Sequence, residues 1–441
     1  MALGGGTFLT QNKILPGAYL NFISASRASA NLSDRGVATF PLAMSWGPEG
    51  TVTAVTAADL QKNSQKLFGY GYTHEALRPL RELFATGLRT LYLYRLNKGG
   101  VQAANDYASA RQPGKRGNDL KTVIQKGEGF VEETNPVYDV STYLGSALVD
   151  TQKGVKSASE LKENDFVSFK TEAVLAETAG APLTGGTDGA VEDGAYQEYL
   201  DQIESYAFNC MGCDSPDDAV KALFAAFTKR MRDEVGVKFQ TVLHRYEKAD
   251  YEGVISVENG LEGDGESTAP VYWATGAEAA CAVNASLTNT VYNGEYSIQA
   301  GYTQAQLEAG LLGGKLMFHR VDDQVRVLSD INTFTSATDG KSADFSENQV
   351  VRVLDQIGND IGALFNSKYL GKVPNDNAGR VSLWADIVKH HRELEKLRAI
   401  QAFEAGNVIV EQGESRKAVV VTDCVTPTAA MAQLYMTVIV Q

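Results

Sequence analysis

Ser215-Pro-Asp-Asp-Ala-Val-Lys-Ala-Leu-Phe-Ala-Ala-Phe-Thr-Lys-Arg-Met-Arg-Asp-Glu-Val-Gly-Val-Lys-Phe-Gln-Thr-Val-Leu243 is the stretch that decides the fold class. Ser215 is placed to cap a helix, Pro216 to occupy its first turn, and Asp217 and Asp218 to complement its dipole. The helix is expected to run to about Val235, where Gly236 stops it and Val237–Leu243 opens a β-branched strand. Outward on either side the alternation repeats. Residues 195–204 read as a helix and Ser205–Met211 as a strand; Gly253–Val257 is another strand and 270–286 another helix. Strands separated by crossover-length helices predict a mainly parallel sheet covered by helices.

Before this region lies the most turn-rich stretch of the chain, Pro182-Leu-Thr-Gly-Gly-Thr-Asp-Gly189, which marks a domain boundary. From about 100 to 182, short β-prone runs such as Lys121–Ile124 and Phe166–Lys170 alternate with Gly, Asn, Asp and Pro, the pattern of a small barrel or sandwich. Residues 36–44 and Leu91–Leu96 read as strands flanking helices near 57–67 and 75–86. Residues 1–30 have no helical period and read as an extended arm. Towards the other end, Ser346 and Gln349 have capping-box spacing, with Phe345 and Val350 as the staple. Val350, Val353, Leu354, Ile357, Ile361, Leu364 and Phe365 then form one apolar stripe. A second helix is expected over 380–400, and the chain ends in a β-prone run, Gln433–Gln441.

The 441 residues suffice for two to four domains with a sizeable core. A formal net charge of −14 argues against broad nucleic-acid or anionic-membrane binding. All of that excess sits between residues 126 and 218, with 19 acidic against 5 basic side chains; elsewhere the count is 35 against 35. The balanced remainder can pack against copies of itself, while the acidic window reads as a solvated surface. The chain has neither a secretory start nor an apolar run of membrane-spanning length, so it is expected to be made in the cytoplasm. The four cysteines, Cys210, Cys213, Cys281 and Cys424, are too few for a disulfide framework.

Catalytic and cofactor motifs are missing. Ala309–Leu316 resembles a phosphate loop only loosely, with Ala309 at the first glycine position and Leu316 where a hydroxyl would hold magnesium, and is expected to be a loop between helix and strand. No dinucleotide fingerprint follows a strand, no nucleophile elbow appears, and no zinc-binding histidine pair is present. Cys210-x-x-Cys213 admits a redox dithiol, but two buried thiols at a strand end is the better reading. His390 and His391 lie on a charged helix, either facing solvent or packed. No catalytic residue, cofactor or metal site is therefore expected.

Both termini are apolar and β-prone. Such strands either close the molecule's own sheet or add to neighbouring chains, and donation between non-closing neighbours generates a helical filament. Here the sequence resembles the contractile tail sheath proteins of tailed phages and phage-tail-like bacteriocins, most closely the version of Gram-positive hosts. The resemblance rests on Ala2-Leu-Gly-Gly-Gly-Thr-Phe8, Leu15-Pro-Gly-Ala-Tyr19, Pro182–Gly189, Phe227–Gln240, Val325–Phe334 and Ala430–Gln441. It implies an α/β multidomain fold: an extended arm (1–30), the N-terminal part of the core (31–100), a β-sandwich (101–182), a non-catalytic subtilisin-like α/β domain (183–340), an α+β C-terminal domain (341–430) and a C-terminal β arm (431–441).

The resemblance also implies a structural, non-enzymatic subunit that polymerises helically around an inner tail tube and contracts to drive it through a target envelope. Its partners would be further copies of itself, the tube protein, and baseplate and terminator proteins, without nucleic acid or membrane. It would be made in the bacterial host cytoplasm and end in the sheath of a virion or phage-tail-like particle. Strand exchange would run through Thr7, Phe8, Leu9 and Tyr19 at one end and Leu434, Tyr435, Met436, Val438, Ile439 and Val440 at the other. The +2 local charge of the 380–400 helix predicts that Lys389, Arg392, Lys396 and Arg398 face the tube. A tube or capsid component is one alternative, and a cytosolic α/β hydrolase another.

Overall fold

The alternation read around Gly236 becomes one seven-stranded sheet. The computed structural model describes residues 32–132 and 134–440. In sheet order the strands are Lys315–Leu316, Val254–Val257, Gln240–His244, Cys210–Gly212, Val37–Leu42, Thr90–Arg95 and Val52–Thr56, all parallel neighbours except the last pair. Residues alternate between the two faces, as a pleated strand requires. Phe40, Leu91, Leu93, Cys210, Val242 and Ile255 enter one buried cluster, while Tyr94, Met211, Leu243 and Val254 enter the other.

Helices cover both faces. Pro270–Ala280 lies over the first, with Trp273 against Tyr292 and Phe318 at centroid distances of 5.5 Å. It meets the helix Arg78–Phe84 so closely that a Cβ on Gly276 would sit 1.9 Å from the Leu83 carbonyl oxygen, so only glycine fits. Ala195–Ile203 and Asp218–Arg230 cover the second face, with Tyr199 stacked on Phe224 and its hydroxyl 2.8 Å from Thr39 Oγ1. Burial of each such aromatic contributes roughly 1.5–3 kcal/mol.

The deciding helix starts two residues later than expected. Asp217, not Ser215, is its N-cap, accepting from the Ala219 N–H at 2.8 Å; Ser215 Oγ instead accepts from the Asp217 N–H. Its last turn, Met231–Val235, is π-helical, and Gly236 ends it at φ +89°. The strand expected over Ser205–Met211 shortens to Cys210–Gly212.

Residues 98–190 are β-rich. A four-stranded antiparallel sheet runs in the order Ala147–Val155, Tyr138–Leu144, Leu120–Lys126, Thr178–Pro182. The pair Ala108–Ala110 and Val167–Phe169 shares a buried cluster with Leu120 and Leu144 of that sheet. The stretch 309–316 is indeed the junction of a helix, Gln304–Leu312, with the edge strand Lys315–Leu316.

The chain divides into two compact units, and the division falls inside the helix Asn348–Leu364. The larger holds residues 34–356 and 427–440. The smaller comprises 357–426 with residues 32 and 33; it contains the helix Asn377–Lys396 and the antiparallel hairpin Val408–Gln412/Val419–Asp423, around a core of Leu364, Tyr369, Leu383, Ile387, Val388 and Val408. The capping box at Ser346 is not formed. Its hydroxyl donates to the Ala343 carbonyl oxygen at 2.8 Å inside a 3₁₀ turn, and the α-helix begins at Asn348.

Candidate assembly surfaces

The C-terminal run expected as a strand forms none among the described residues. Residues 428–440 have no regular structure, and Leu434, Met436, Ile439 and Val440 are 84, 74, 82 and 91% exposed. Tyr435 and Val438 are similarly open. A strand forms only where an edge completes its backbone hydrogen bonds, and here that backbone meets water. The segment is tied at its root, where the Ala430 N–H donates to Gln349 Oε1 at 2.9 Å. Thr7, Phe8, Leu9 and Tyr19 lie outside the described residues.

The hairpin Val408–Gln412/Val419–Asp423 is a two-stranded sheet that also carries exposed apolar side chains, Ile409, Val420 and Val421. On the helix Asn377–Lys396, Lys389, Arg392 and Lys396 are exposed at spacings of three and four and so share one face. Arg398 is exposed just past the helix end, at φ +61°. Leu383, Ile387, Leu394 and both histidines occupy the buried side.

His390 and His391 are packed, not solvent-facing, and they meet carboxylates that no local motif announces. His390 Nε2 lies 2.9 Å from Asp360 Oδ2 and His391 Nε2 2.6 Å from Asp423 Oδ2, while their Nδ1 atoms face each other at 3.2 Å. His244 is also buried, which pushes its imidazole down to about 4 and keeps it neutral.

In the larger unit the polar side of the helix Asn348–Leu364 is buried in charge. Arg352 donates to Glu278 Oε2 at 2.6 Å and to Asp330 Oδ2 at 3.2 Å, and Asn348 Nδ2 reaches Asp330 Oδ1 at 2.9 Å. Burial, then the neighbouring Asp330, pushes Glu278 up to about 8; against the same burial, Arg352 holds Asp330 low. The two carboxyls thus share a proton beside one guanidinium. Arg232 forms a second buried pair with Asp355, at 2.6 and 2.7 Å. Removing one partner of such a buried pair costs about 3–5 kcal/mol, because the other charge is left buried and unpaired.

Cys210 and Cys213 enter clusters on opposite sheet faces, and burial pushes both thiols up, so they do not form a facing dithiol. Among the described residues no three His, Cys, Asp or Glu side chains converge on a metal-sized site, and no helix is long and apolar enough to cross a membrane.

Comparison with known proteins matches four family descriptions in sequence along the chain. These are the tail sheath protein Gp18 domain III N-terminal region (residues 35–96), the phage tail sheath protein beta-sandwich domain (98–188), the phage tail sheath protein central domain (189–333) and the phage tail sheath C-terminal domain (340–441). The phage-like element PBSX protein XkdK of Bacillus subtilis is 31% identical, covering 99% of each chain. A sheath tail protein from Desulfitobacterium hafniense is 37% identical, with TM-score 0.80 over 93% of this chain and 96% of that one. The anti-feeding prophage helical sheath in its contracted state shares the fold at 14% identity, with TM-score 0.55 over 96% of this chain and 98% of that one. The chain belongs to the phage tail sheath protein family, whose members are structural subunits rather than enzymes.

Proposed function

We propose that this subunit polymerises into a helical homopolymer around an inner tail tube by adding its terminal segments as strands to neighbouring subunits. The chain is a structural subunit of a contractile tail sheath. The observation that carries the arm reading is the exposed run Leu434–Val440, apolar yet without a strand partner among the described residues. The hairpin edge beside Val420 and Val421 offers an acceptor of matching chemistry. Residues 1–30 supply the second arm through Thr7, Phe8, Leu9 and Tyr19, and 431–441 the first.

On this reading the region 31–100 joins 183–340 as a core with subtilisin-like topology, 101–182 is the outward β-sandwich, and 341–430 is the inner domain. The acidic window then faces solvent and keeps long particles apart. The basic face of Lys389, Arg392 and Lys396, with Arg398, turns to the tube. Assembly stores an extended, higher-energy state that a baseplate releases, after which subunits rotate and repack. A tube protein, baseplate and tail terminator are the further partners. Synthesis is in the host cytoplasm, and the mature place is the tail of a virion or phage-tail-like particle.

Deleting residues 434–441 tests the arm reading. The truncated chain is expected to be soluble, folded and unable to polymerise by negative-stain microscopy; intact striated sheaths from it would end the proposal.

A further inference from the structure

Thr53, Leu93 and Arg95 share one face of the seven-stranded sheet, because Leu93 and Arg95 are two residues apart on one strand and Thr53 stands opposite Leu93 on the next. All three line a cavity of about 400 Å³ outside the carboxyl ends of the parallel strands Val37–Leu42 and Thr90–Arg95. From the core, Met44 and the helix Ser64–Phe68 complete the lining; from the β-rich region, Arg111, Gln112 and Asp165 do so. Crevices at the carboxyl ends of parallel strands and at domain junctions are where α/β folds keep their ligand sites, and small-molecule pockets measure ~300–1,000 Å³.

The walls are held in place by their own contacts. Trp46 is buried, its ring 6.3 Å from Phe166 of the β-rich region, and its indole N–H donates to the Lys66 carbonyl oxygen at 3.2 Å. Arg116 Nε donates to the Gly69 carbonyl oxygen at 2.6 Å, just past the same helix. Arg95 is 2% exposed. Its Nη1 donates to the Gly47 and Pro113 carbonyl oxygens at 2.7 and 2.8 Å and its Nη2 to that of Asp188 at 3.1 Å, while the Glu49 carboxylate stands at 3.4 Å. Its Nε is buried and has no hydrogen-bond partner among the described residues. A buried cation so placed is short of negative charge, and burial pushes the guanidinium below the usual arginine range against the pull of Glu49 and Asp188. The exposed side chains of Lys66 and Arg111 also line the cavity. Each is held by an exposed carboxylate, Asp165 at 2.8 Å and Glu163 at 3.1 Å, and such pairs hold weakly in water.

We propose that this cavity binds an amphipathic anion: a compact apolar body against Met44, Leu67, Phe68 and Leu93, and a single carboxylate, sulfonate or phosphate group among Arg95, Lys66 and Arg111. The three cations face one lining carboxylate, Asp165, so an anionic group is attracted and a cationic one repelled. A ligand so placed touches both the core and the β-rich region, and its binding should raise the melting temperature of the folded chain. The proposal stands on residues of the larger unit alone and is independent of the arm reading.

The probe is anilinonaphthalene sulfonate, titrated by fluorescence into the full chain below its polymerisation concentration, beside neutral phenylnaphthylamine, which has the same rings and no charge. The sulfonate is expected to saturate at one site per chain and to bind about tenfold or more tighter than the neutral compound, the worth of one hydrogen bond to a charged group. It should do so equally in the 434–441 deletion. Asp165→Asn removes the lining carboxylate and should tighten sulfonate binding roughly threefold or more, with no change of stoichiometry or of the free protein's melting temperature. Thr53→Trp fills the cavity with a side chain favoured in strands and should abolish both binding and the ligand-induced rise in melting temperature. Equal affinity for the two probes, binding lost with residues 434–441, no gain in Asp165→Asn, or full binding in a folded Thr53→Trp would each overturn the site. If Thr53→Trp does not fold, Asp165→Asn and the two-probe comparison decide.

Discussion

If the C-terminal segment adds to a neighbour as a strand, its side chains must divide by parity. Leu434, Met436, Val438 and Val440 form one face, all apolar; Tyr435, Thr437 and Ile439 form the other, interrupted by a hydroxyl. The first face is the one expected to bury. All four of its side chains are 72–91% exposed in the single chain, so replacing one with serine should leave monomer stability untouched. On assembly each gains roughly 1.5–3 kcal/mol, together about 6–12 kcal/mol. Ordering seven residues of backbone costs about 7–14 kcal/mol. The two terms nearly cancel, leaving pairing to the strand hydrogen bonds, each contributing about 0.5–1.5 kcal/mol. An arm balanced this closely cannot lose a side chain unnoticed.

In an open helical polymer each added subunit contributes one C-terminal arm, so the loss appears once per elongation step. Met436→Ser or Val438→Ser should raise the critical concentration for polymerisation roughly 10- to 150-fold, whereas Thr437→Ser should change it less than about threefold. Pelleting of polymer over a concentration series measures this directly, with thermal unfolding of the unassembled protein as the control. Equal effects at 436, 437 and 438, or none at 436 and 438, would refute a half-buried strand.

Three further outcomes are expected. Reversing the charge of Lys389 and Arg392 together should impair assembly on tubes while leaving the folded subunit intact; undiminished tube-dependent assembly counts against a tube-facing helix. Arg352→Met should cost about 3–5 kcal/mol in chemical unfolding, because fully buried Asp330 loses its cation and must either stay charged unpaired or take up a proton; a loss under about 1 kcal/mol contradicts the network as drawn. Glu278 holds its proton up to about 8 in the folded chain against 4.5 ordinarily, so between those values the folded state binds more protons and stability falls as pH rises. Glu278→Gln imitates the protonated form and should flatten that fall, as apparent melting temperatures at pH 5.5 and 8.5 will show.

The alternation of strand and helix was legible because β-branched runs and helical periods follow one another in order, and Gly236 announces the stop of its helix through a left-handed conformation that glycine adopts at little cost. Element starts were less legible because several residues near each start can cap. Ser215, Asp217 and Ser346 all have the right chemistry, and only the path of the chain decides which oxygen reaches a free N–H. A terminal strand is legible as composition, but its pairing depends on an edge that composition does not name.

The larger failure of pattern reading lies in the helix Asn348–Leu364. Its apolar stripe is legible in the sequence, and the stripe by itself says nothing of what the opposite face meets. Yet Arg352, Asp355 and Gln356 are buried alongside Val350, Val351 and Val353, because Glu278, Asp330 and Arg232 come from segments 20 to 120 residues away to meet them. The carboxylate partners of His390 and His391 are hidden in the same way: Asp360 and Asp423 stand about 30 residues to either side of the pair, far outside any helical spacing. A polar face opposite an apolar stripe has the same periodicity whether it meets water or buried counter-charges. Charge balance offers the available clue. Outside the acidic window the chain carries 35 acidic and 35 basic groups, and groups balanced in number can be paired inside as well as displayed outside. The buried pairs of the larger unit, Arg352 with Glu278 and Asp330 and Arg232 with Asp355, are of that kind.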